Sequence, residues 1–264
     1  MAETVAGEDV LYEVREGIAC VTFNRPQARN ALTFAMYERL AEISALANED
    51  RSIRAMLLTG AGDKAFAAGT DISQFRAFDK PQDALDYEAR IDRVLGALER
   101  CRVPTIAAIK GACTGGGAGI AGCCDLRIAA GNAKFGFPVA RTLGNCISMA
   151  NYARFAALIG PARVKDMIFR ARLIEAPEAL AIGLVSEVVE DPAGLMDRAQ
   201  ELARLVASHA PLTLQATKEA LLRLRPGIPR GEGEDLILMC YMSEDFREGM
   251  DAFLNKRAPR WKGR

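Results

Sequence analysis

Histidine and net charge are what this sequence has least of. Its 264 residues include one histidine and one tryptophan, and 34 basic residues balance 34 acidic ones. With no net charge there is no overall field to draw a polyanion, and no nucleic-acid partner is expected. No apolar run reaches the roughly 18 residues needed to cross a bilayer, so no membrane partner is expected either. The seven cysteines are odd in number and show neither the paired spacing of a zinc site nor a secretory leader. They read as reduced thiols of a soluble, cytoplasmic protein without a metal. The lone histidine, His209, sits in Ala207-Ser-His-Ala-Pro just before a helix and reads as a surface or capping residue.

What is present is apolar and patterned. Half of the residues are hydrophobic and 26% are charged, enough for one large core. Alternation over 10–14 and 18–23, with Glu16-Gly17 between, predicts a hairpin. Thr33 is placed to cap a helix to about Asn48. Short apolar runs at 55–59 and 104–109 predict buried strands, and the spacing over 81–101 predicts a helix between them. Strands at 125–130 and 184–189 and helices at 147–159, 162–169 and 177–182 complete a mixed α/β sheet with crossover helices. From Pro192 onward the pattern is helical, with breaks at 208–211 and 225–229.

The segment Ala112-Cys-Thr-Gly115-Gly-Gly117-Ala-Gly119-Ile-Ala-Gly122 follows a strand and opens a helix. Free N–H groups at a helix start favour an anion, whether a phosphate or a developing oxyanion. A tight turn that lets strand and helix pack closely accounts for the glycines equally well. A dinucleotide site would need an acid about 20 residues on. None occurs over 126–165, which weighs against that reading.

Four segments in this order resemble the crotonase (enoyl-CoA hydratase/isomerase) superfamily: Asn24-Arg-Pro-Gln-Ala-Arg-Asn30-Ala-Leu, Lys64-Ala-Phe-Ala-Ala-Gly69-Thr70-Asp71-Ile, the triple glycine, and Phe253-Leu-Asn-Lys256-Arg. The resemblance implies an α/β, crotonase-like spiral of ββα turns over 1–190 and a C-terminal helical subdomain over 191–264 that makes trimer and coenzyme A contacts. It implies an acyl-CoA partner, a homotrimer or homohexamer, and no cofactor beyond the coenzyme A of the substrate. By the same resemblance the oxyanion donors are the amides of Thr70 and Gly116. The coenzyme A contacts fall on Gln27, Ala28, Arg29, Ala67, Ala68, Ile72, Phe253 and Lys256.

The family's proton-transferring carboxylates do not match. Similar hydratases carry one Glu two residues after the third glycine and another after the proline of an FG-x-P segment. Those positions hold Gly119 and Val139 here, and a third acid position used by certain isomerases falls near Ile147. Between Arg100 and Lys165 the only carboxylate is Asp125, which reads as a structural turn residue. Asp71 is a catalytic candidate by position, with a loop-holding role through Asx-type bonds as the alternative. Arg141, Thr142, Asn145, Cys146 and Ser148 are the polar groups left near the acyl position, and Arg141 and Asn145 could bind a polar acyl group such as a carboxylate. Cys146 lacks a nearby histidine to activate it and reads as a packed thiol. Three functions stay open: a lyase or isomerase on an acyl-CoA, a decarboxylase or thioesterase using the same oxyanion hole, and a non-catalytic acyl-CoA binder. Hydration of crotonyl-CoA is expected to be very slow or absent.

Overall fold

A computed structural model describes residues 9–225, 227 and 231–264. The chain opens with the hairpin β1 (Val10–Arg15) and β2 (Ile18–Phe23), paired in antiparallel register from Val10–Phe23 to Arg15–Ile18. Glu16 and Gly17 both have positive φ, 51° and 75°, the turn geometry whose twist suits a two-residue hairpin. Helix α1 (Phe34–Glu49) starts where Thr33 Oγ1 accepts the Met36 amide at 3.2 Å.

Three ββα turns follow. They comprise β3 (Ala55–Gly60), β4 (Ala65–Ala67) and α2 (Pro81–Glu99); β5 (Thr105–Ile109), β6 (Ala112–Thr114) and α3 (Gly116–Cys123); and β7 (Leu126–Ala130), β8 (Lys134–Gly136) and α4 (Val139–Thr142) with α5 (Met149–Ile159) and α6 (Pro161–Phe169). The first strand of each turn joins a six-stranded sheet, β1-β2-β3-β5-β7 with β10 (Glu187–Val189) at its edge. The second joins a four-stranded sheet, β4-β6-β8 with β9 (Ile174–Glu175) at its edge. Pairing is parallel from β2 through β10 and among β4, β6 and β8, so each helix returns the chain one strand along. Strands β3 and β5 are buried along their whole length, as strands covered on both faces must be.

The second sheet agrees with the ββα turns that the resemblance implies, but its three-residue strands are too short to show a period of their own. The differences from expectation are local. The expected strand at 184–189 pairs only over 187–189, Leu184 and Val185 being core residues before it. The helix expected from Ile147 starts at Met149, since Ser148 accepts the Asn151 amide as its cap. Asp125 is structural as read: its Oδ2 accepts the Thr105 amide and hydroxyl and Lys218 Nζ at 2.7 to 2.9 Å.

Beyond α7 (Ala176–Ala181) the described chain is helical apart from β10: α8 (Leu195–Ser208), α9 (Pro211–Leu224), α10 (Glu234–Tyr241) and α11 (Glu244–Leu254). Helix α8 lays Leu195, Ala199, Ala203 and Val206 on Leu57, Ile106 and Ile128, so it covers one face of the six-stranded sheet. Helix α9 buries none of its residues and exposes Leu212, Leu221 and Leu224. Of the break expected at 225–229, residues 226, 228 and 229 lie outside the described residues. No helix among the described residues is long and apolar enough to cross a membrane.

Asn30 pins the first turn. It is fully buried with φ of 53°, a left-handed conformation that Asn tolerates better than most residues. Its Oδ1 accepts the Arg25 amide at 2.9 Å, and its Nδ2 donates to the Ala61 and Ala65 carbonyls at 3.0 and 2.8 Å. Replacing Asn30 with Ala leaves three main-chain groups unsatisfied, each worth about 1 to 3 kcal/mol when buried. Urea unfolding of Asn30→Ala is expected to show a stability loss of at least about 3 kcal/mol; a loss below about 1 kcal/mol would refute the pinning role.

Candidate active site

Two loops meet beside α1. The first follows β4 and is laced to residues 29–32: Ala68 N–H donates to Arg29 O at 3.1 Å, Leu32 N–H to Gly69 O at 2.8 Å, and Asp71 N–H to Leu32 O at 2.8 Å. Gly69 sits at φ 103°, a conformation open to glycine. The amides of Ala68 and Asp71 and the carbonyl of Gly69 are thus engaged, while the Thr70 N–H enters none of the loop's backbone bonds among the described residues. The Thr70 hydroxyl lies between those of Tyr37 and Tyr87, 2.9 Å from each.

The second loop leaves β6. Gly115, at φ 53°, donates its N–H to Gly136 O, and Gly116 begins α3 with an N–H that no preceding helical carbonyl can accept. The triple glycine is a packing requirement as well. A methyl at 115 would sit 3.3 Å from Gly69 Cα, one at 116 would sit 1.9 Å from Tyr37 Oη, and one at 117 would sit 2.1 Å from Ala67 O. The two readings of these glycines therefore coincide: close packing is what brings the first turn of α3 against the Thr70 loop.

Asp71 is bound up in structure. Its Oδ2 receives both Arg25 guanidinium nitrogens at 3.1 Å, and its Oδ1 receives the Ser73 hydroxyl at 2.7 Å and the Ser73 amide at 3.2 Å. Partial burial raises its pKa, but the bonds from Ser73 and Arg25 outweigh that and hold the carboxyl below its ordinary value. It caps a 3-10 helix over Ile72–Ala77.

The other sequence-derived residues divide. Gly119 is buried, and a Cβ there would lie 3.3 Å from Leu95 and 3.5 Å from Asn151. Val139 and Ile147 are buried, whereas Arg141 is exposed. Asn145 Nδ2 donates to Tyr241 Oη at 3.1 Å, and its buried Oδ1 has no partner among the described residues. The Cys146 thiol donates to Leu236 O, and its bond with the Cys240 thiol, together with burial, pushes its pKa up, away from a nucleophile. Gln27 and Ala28 lie in a 3-10 turn ended by Arg29, beside a cavity of about 180 Å³ lined by Pro26, Arg29, Asn30 and Lys64. Ala67 is buried in β4. Phe253 is half exposed on α11 and Lys256 is exposed just beyond it. His209 is exposed at the end of α8, away from these loops in role: its carbonyl accepts from Arg54.

Helix α2 brings residues that the sequence reading passed over. Glu88, Asp92 and Leu95 share one face at i, i+4 and i+7. Tyr241 Oη donates to Glu88 Oε1 at 2.6 Å, and Ser148 Oγ donates to Asp92 Oδ1 at 2.6 Å. Ser148 also receives Asn151 Nδ2, and Asn151 Oδ1 receives Arg154, which pairs with the Glu99 that Arg225 also holds. Glu88 and Asp92 line a cavity of about 550 Å³ between α2, α5 and the start of α10. The available signal was an acid on the apolar stripe itself, Glu88 falling in phase with Ala84, Ile91 and Leu95.

Burial lifts the Glu88 pKa to about 8, against the Tyr241 bond, which lowers it. Burial likewise raises that of Asp92. Below pH about 4.5 the Glu88 carboxyl is protonated folded or unfolded; between 4.5 and 8 the unfolded chain ionises and the folded one does not, so stability falls with rising pH. Glu88→Gln keeps the Tyr241 acceptor and removes this term. Its melting temperature is expected to exceed that of the wild type by a margin that grows from pH 5 to 8, reaching a few kcal/mol in stability, and then levels off. A margin independent of pH would refute the assignment.

The model of the enoyl-CoA hydratase/isomerase family matches residues 13–264. A crotonyl-CoA hydratase of Syntrophomonas wolfei is 35% identical over 256 residues, covering 96% of this chain and 97% of the relative. Among solved structures, an enoyl-CoA hydratase/carnithine racemase from Magnetospirillum magneticum superposes with a TM-score of 0.79 at 34% identity, over 98% of this chain and 97% of the other. A methylmalonyl-CoA decarboxylase in complex with 2-nitronate-propionyl-CoA does so with a TM-score of 0.88 at 29% identity, over 98% and 100%. The chain, with its ββα spiral and helical C-terminal part, therefore belongs to the enoyl-CoA hydratase/isomerase family of the crotonase superfamily.

Proposed function

We propose that this enzyme acts on acyl-CoA thioesters by stabilising a thioester enolate between the Thr70 and Gly116 amides. The observation that carries this reading is the contact of the two donor loops, with a Cβ at 115 only 3.3 Å from Gly69 Cα, next to two N–H groups that the surrounding backbone leaves unused. Removing a proton beside the thioester places negative charge on its carbonyl oxygen. Fixed N–H donors stabilise that charge without reorganising, each worth about a hundredfold to a thousandfold in rate.

Coenzyme A enters as part of the substrate, with no separate cofactor. Its phosphates lie by the cavity of Arg29 and Lys64 near Gln27 and Ala28, and its thioester arm runs along Ala67, Ala68 and Ile72. Phe253 and Lys256 serve the ligand of a neighbouring copy in a homotrimer or homohexamer, an assembly that the exposed leucines of α9 support. The cytoplasm, which holds acyl-CoA pools, is its place of action.

Gly119 and Val139 move no proton, and the cavity of about 550 Å³ beside α2, which neither donor loop lines, is assigned in this reading to the acyl chain and has room for more than four carbons. Crotonyl-CoA is therefore a poor substrate in this reading. Decarboxylation on the same oxyanion hole is the second reading, favoured by the likeness to methylmalonyl-CoA decarboxylase. Against it, the described residues that line the cavity offer an acyl carboxylate Glu88, Asp92 and Glu234 and include no cation.

Incubating the protein with enoyl-, hydroxyacyl- and malonyl-type CoA thioesters, with products followed by mass spectrometry, is expected to show conversion at the α or β carbon of a longer neutral acyl group. Crotonyl-CoA turnover is expected below about 1 per second, the floor of the ordinary enzymatic range. A complete blank with retained affinity would make the chain a binder. For the nucleotide end, Arg29→Glu and Lys256→Glu are each expected to weaken coenzyme A binding roughly tenfold at low salt, the loss shrinking as salt rises. Unchanged affinity at every salt concentration would sink these two contacts.

A further inference from the structure

A thioester enolate needs a proton donor and acceptor, and the positions that hold acids in similar hydratases are here Gly119 and Val139. Two carboxylates of another element, α2, are linked to this region through shared partners: Asp92 accepts from Ser148, Ser148 accepts from Asn151, and Asn151 lies 3.5 Å from a Cβ on Gly119. Helix α2 touches the Thr70 loop and α3 through Tyr87 and Leu95. At one end Tyr87, the neighbour of Glu88, holds the Thr70 hydroxyl at 2.9 Å; at the other Leu95 lies 3.3 Å from a Cβ on Gly119, one turn beyond Gly116. Glu88 and Asp92 both open on the cavity of about 550 Å³.

Each acid is held for use by one neighbour and is not neutralised by a cation. Tyr241 fixes one oxygen of Glu88 and Ser148 one oxygen of Asp92, each at 2.6 Å, whereas the nearby Arg154 and Arg225 are spent on Glu99. The chain Glu88, Tyr241, Asn145 ends in the buried Asn145 Oδ1, an acceptor left without a donor. A buried acceptor of that kind is ordinarily paired, so a ligand or water donor belongs there.

We propose that Glu88 and Asp92 are the proton-transfer carboxylates of this site, supplied by α2 in place of residues at 119 and 139, and that the acyl group in the cavity they line is uncharged. The inference rests on the acyl-CoA reading above. In the step they serve, the carboxylate of one takes the α-proton of the thioester. The C–H electron pair passes to the carbonyl oxygen as the enolate, held by the Thr70 and Gly116 amides, and the carboxylic acid of the other returns a proton to carbon. No oxidant or second substrate is needed.

The test is exchange of the α-protons of octanoyl-CoA in deuterated water, followed by mass spectrometry, alongside its affinity measured by calorimetry. Wild type is expected to exchange; Glu88→Gln and Asp92→Asn, which keep the Tyr241 and Ser148 bonds, are expected to slow exchange at least about a hundredfold with affinity within about threefold. Should either amide variant fail to fold, the corresponding Ala variant with added formate reads the same role, restored exchange being expected. Wild-type rates in both variants, or a wild type that binds octanoyl-CoA and exchanges nothing, would overturn the proposal while acyl-CoA binding stands. Loss in one variant alone would overturn the pairing. A wild type that binds neither octanoyl-CoA nor coenzyme A would instead overturn the acyl-CoA reading itself.

Discussion

The buried side chain of Asn30 is the constraint on which the site is built. Three stretches of chain come together at Arg25, Ala61 and Ala65, the first two outside any strand and the third at the start of β4, and each presents a polar main-chain group there. One amide side chain, with one acceptor and two donors, bonds all three from a left-handed backbone conformation. That conformation turns the chain so that residues 29–32 run beside 68–71 and bond to them. Leu32 takes the Gly69 carbonyl and the Asp71 amide that flank Thr70, and the Thr70 N–H is left over. The free donor is a by-product of how the neighbouring segment is paired.

The glycines complete the approach from the other side. At Gly116 and Gly117 a methyl group would occupy space already held by Tyr37 Oη and Ala67 O. Removing the side chain costs backbone freedom in the unfolded state, roughly 0.5 to 1 kcal/mol per glycine in a helix. The return is a helix start lying against a loop with nothing between them, where the exposed amides of α3 and the helix dipole act over short distances.

Long, strongly patterned elements were legible in the sequence: the hairpin, α1 with its Thr33 cap, and the buried strands β3, β5 and β7. The second sheet was legible only through the resemblance, because three-residue strands carry no period and owe their existence to the spiral around them. At the site, segment 115–119 was legible from its glycines, whereas 27–30 and 68–72 were reached through the resemblance to the crotonase superfamily. The side chains of α2 were missed for the opposite reason. An acid within an ordinary amphipathic helix reads as solvated, and only tertiary packing, with α10 among the elements against α2, buries Glu88 and half-buries Asp92. Tyr241, about 150 residues downstream of its partner Glu88, gives no local signal of the bond between them.

A carboxyl held neutral in a cavity is a poor structural choice. An apolar residue at 88 would pack in phase with Ala84 and Ile91 and would carry no desolvation penalty, whereas Glu88 has its pKa lifted to about 8, which marks a standing loss of stability at neutral pH. By contrast Glu99, equally deep in the same helix, is met by two arginines whose bonds overcome its burial and hold its pKa near 2. The fold can therefore neutralise a buried acid within three turns of Glu88, and at Glu88 it supplies one tyrosine hydroxyl and no cation. Groups left in that state retain a proton that can move near physiological pH, which is the property acid-base catalysis requires. The contrast between two buried glutamates on one helix separates a structural ion pair from a group poised for chemistry.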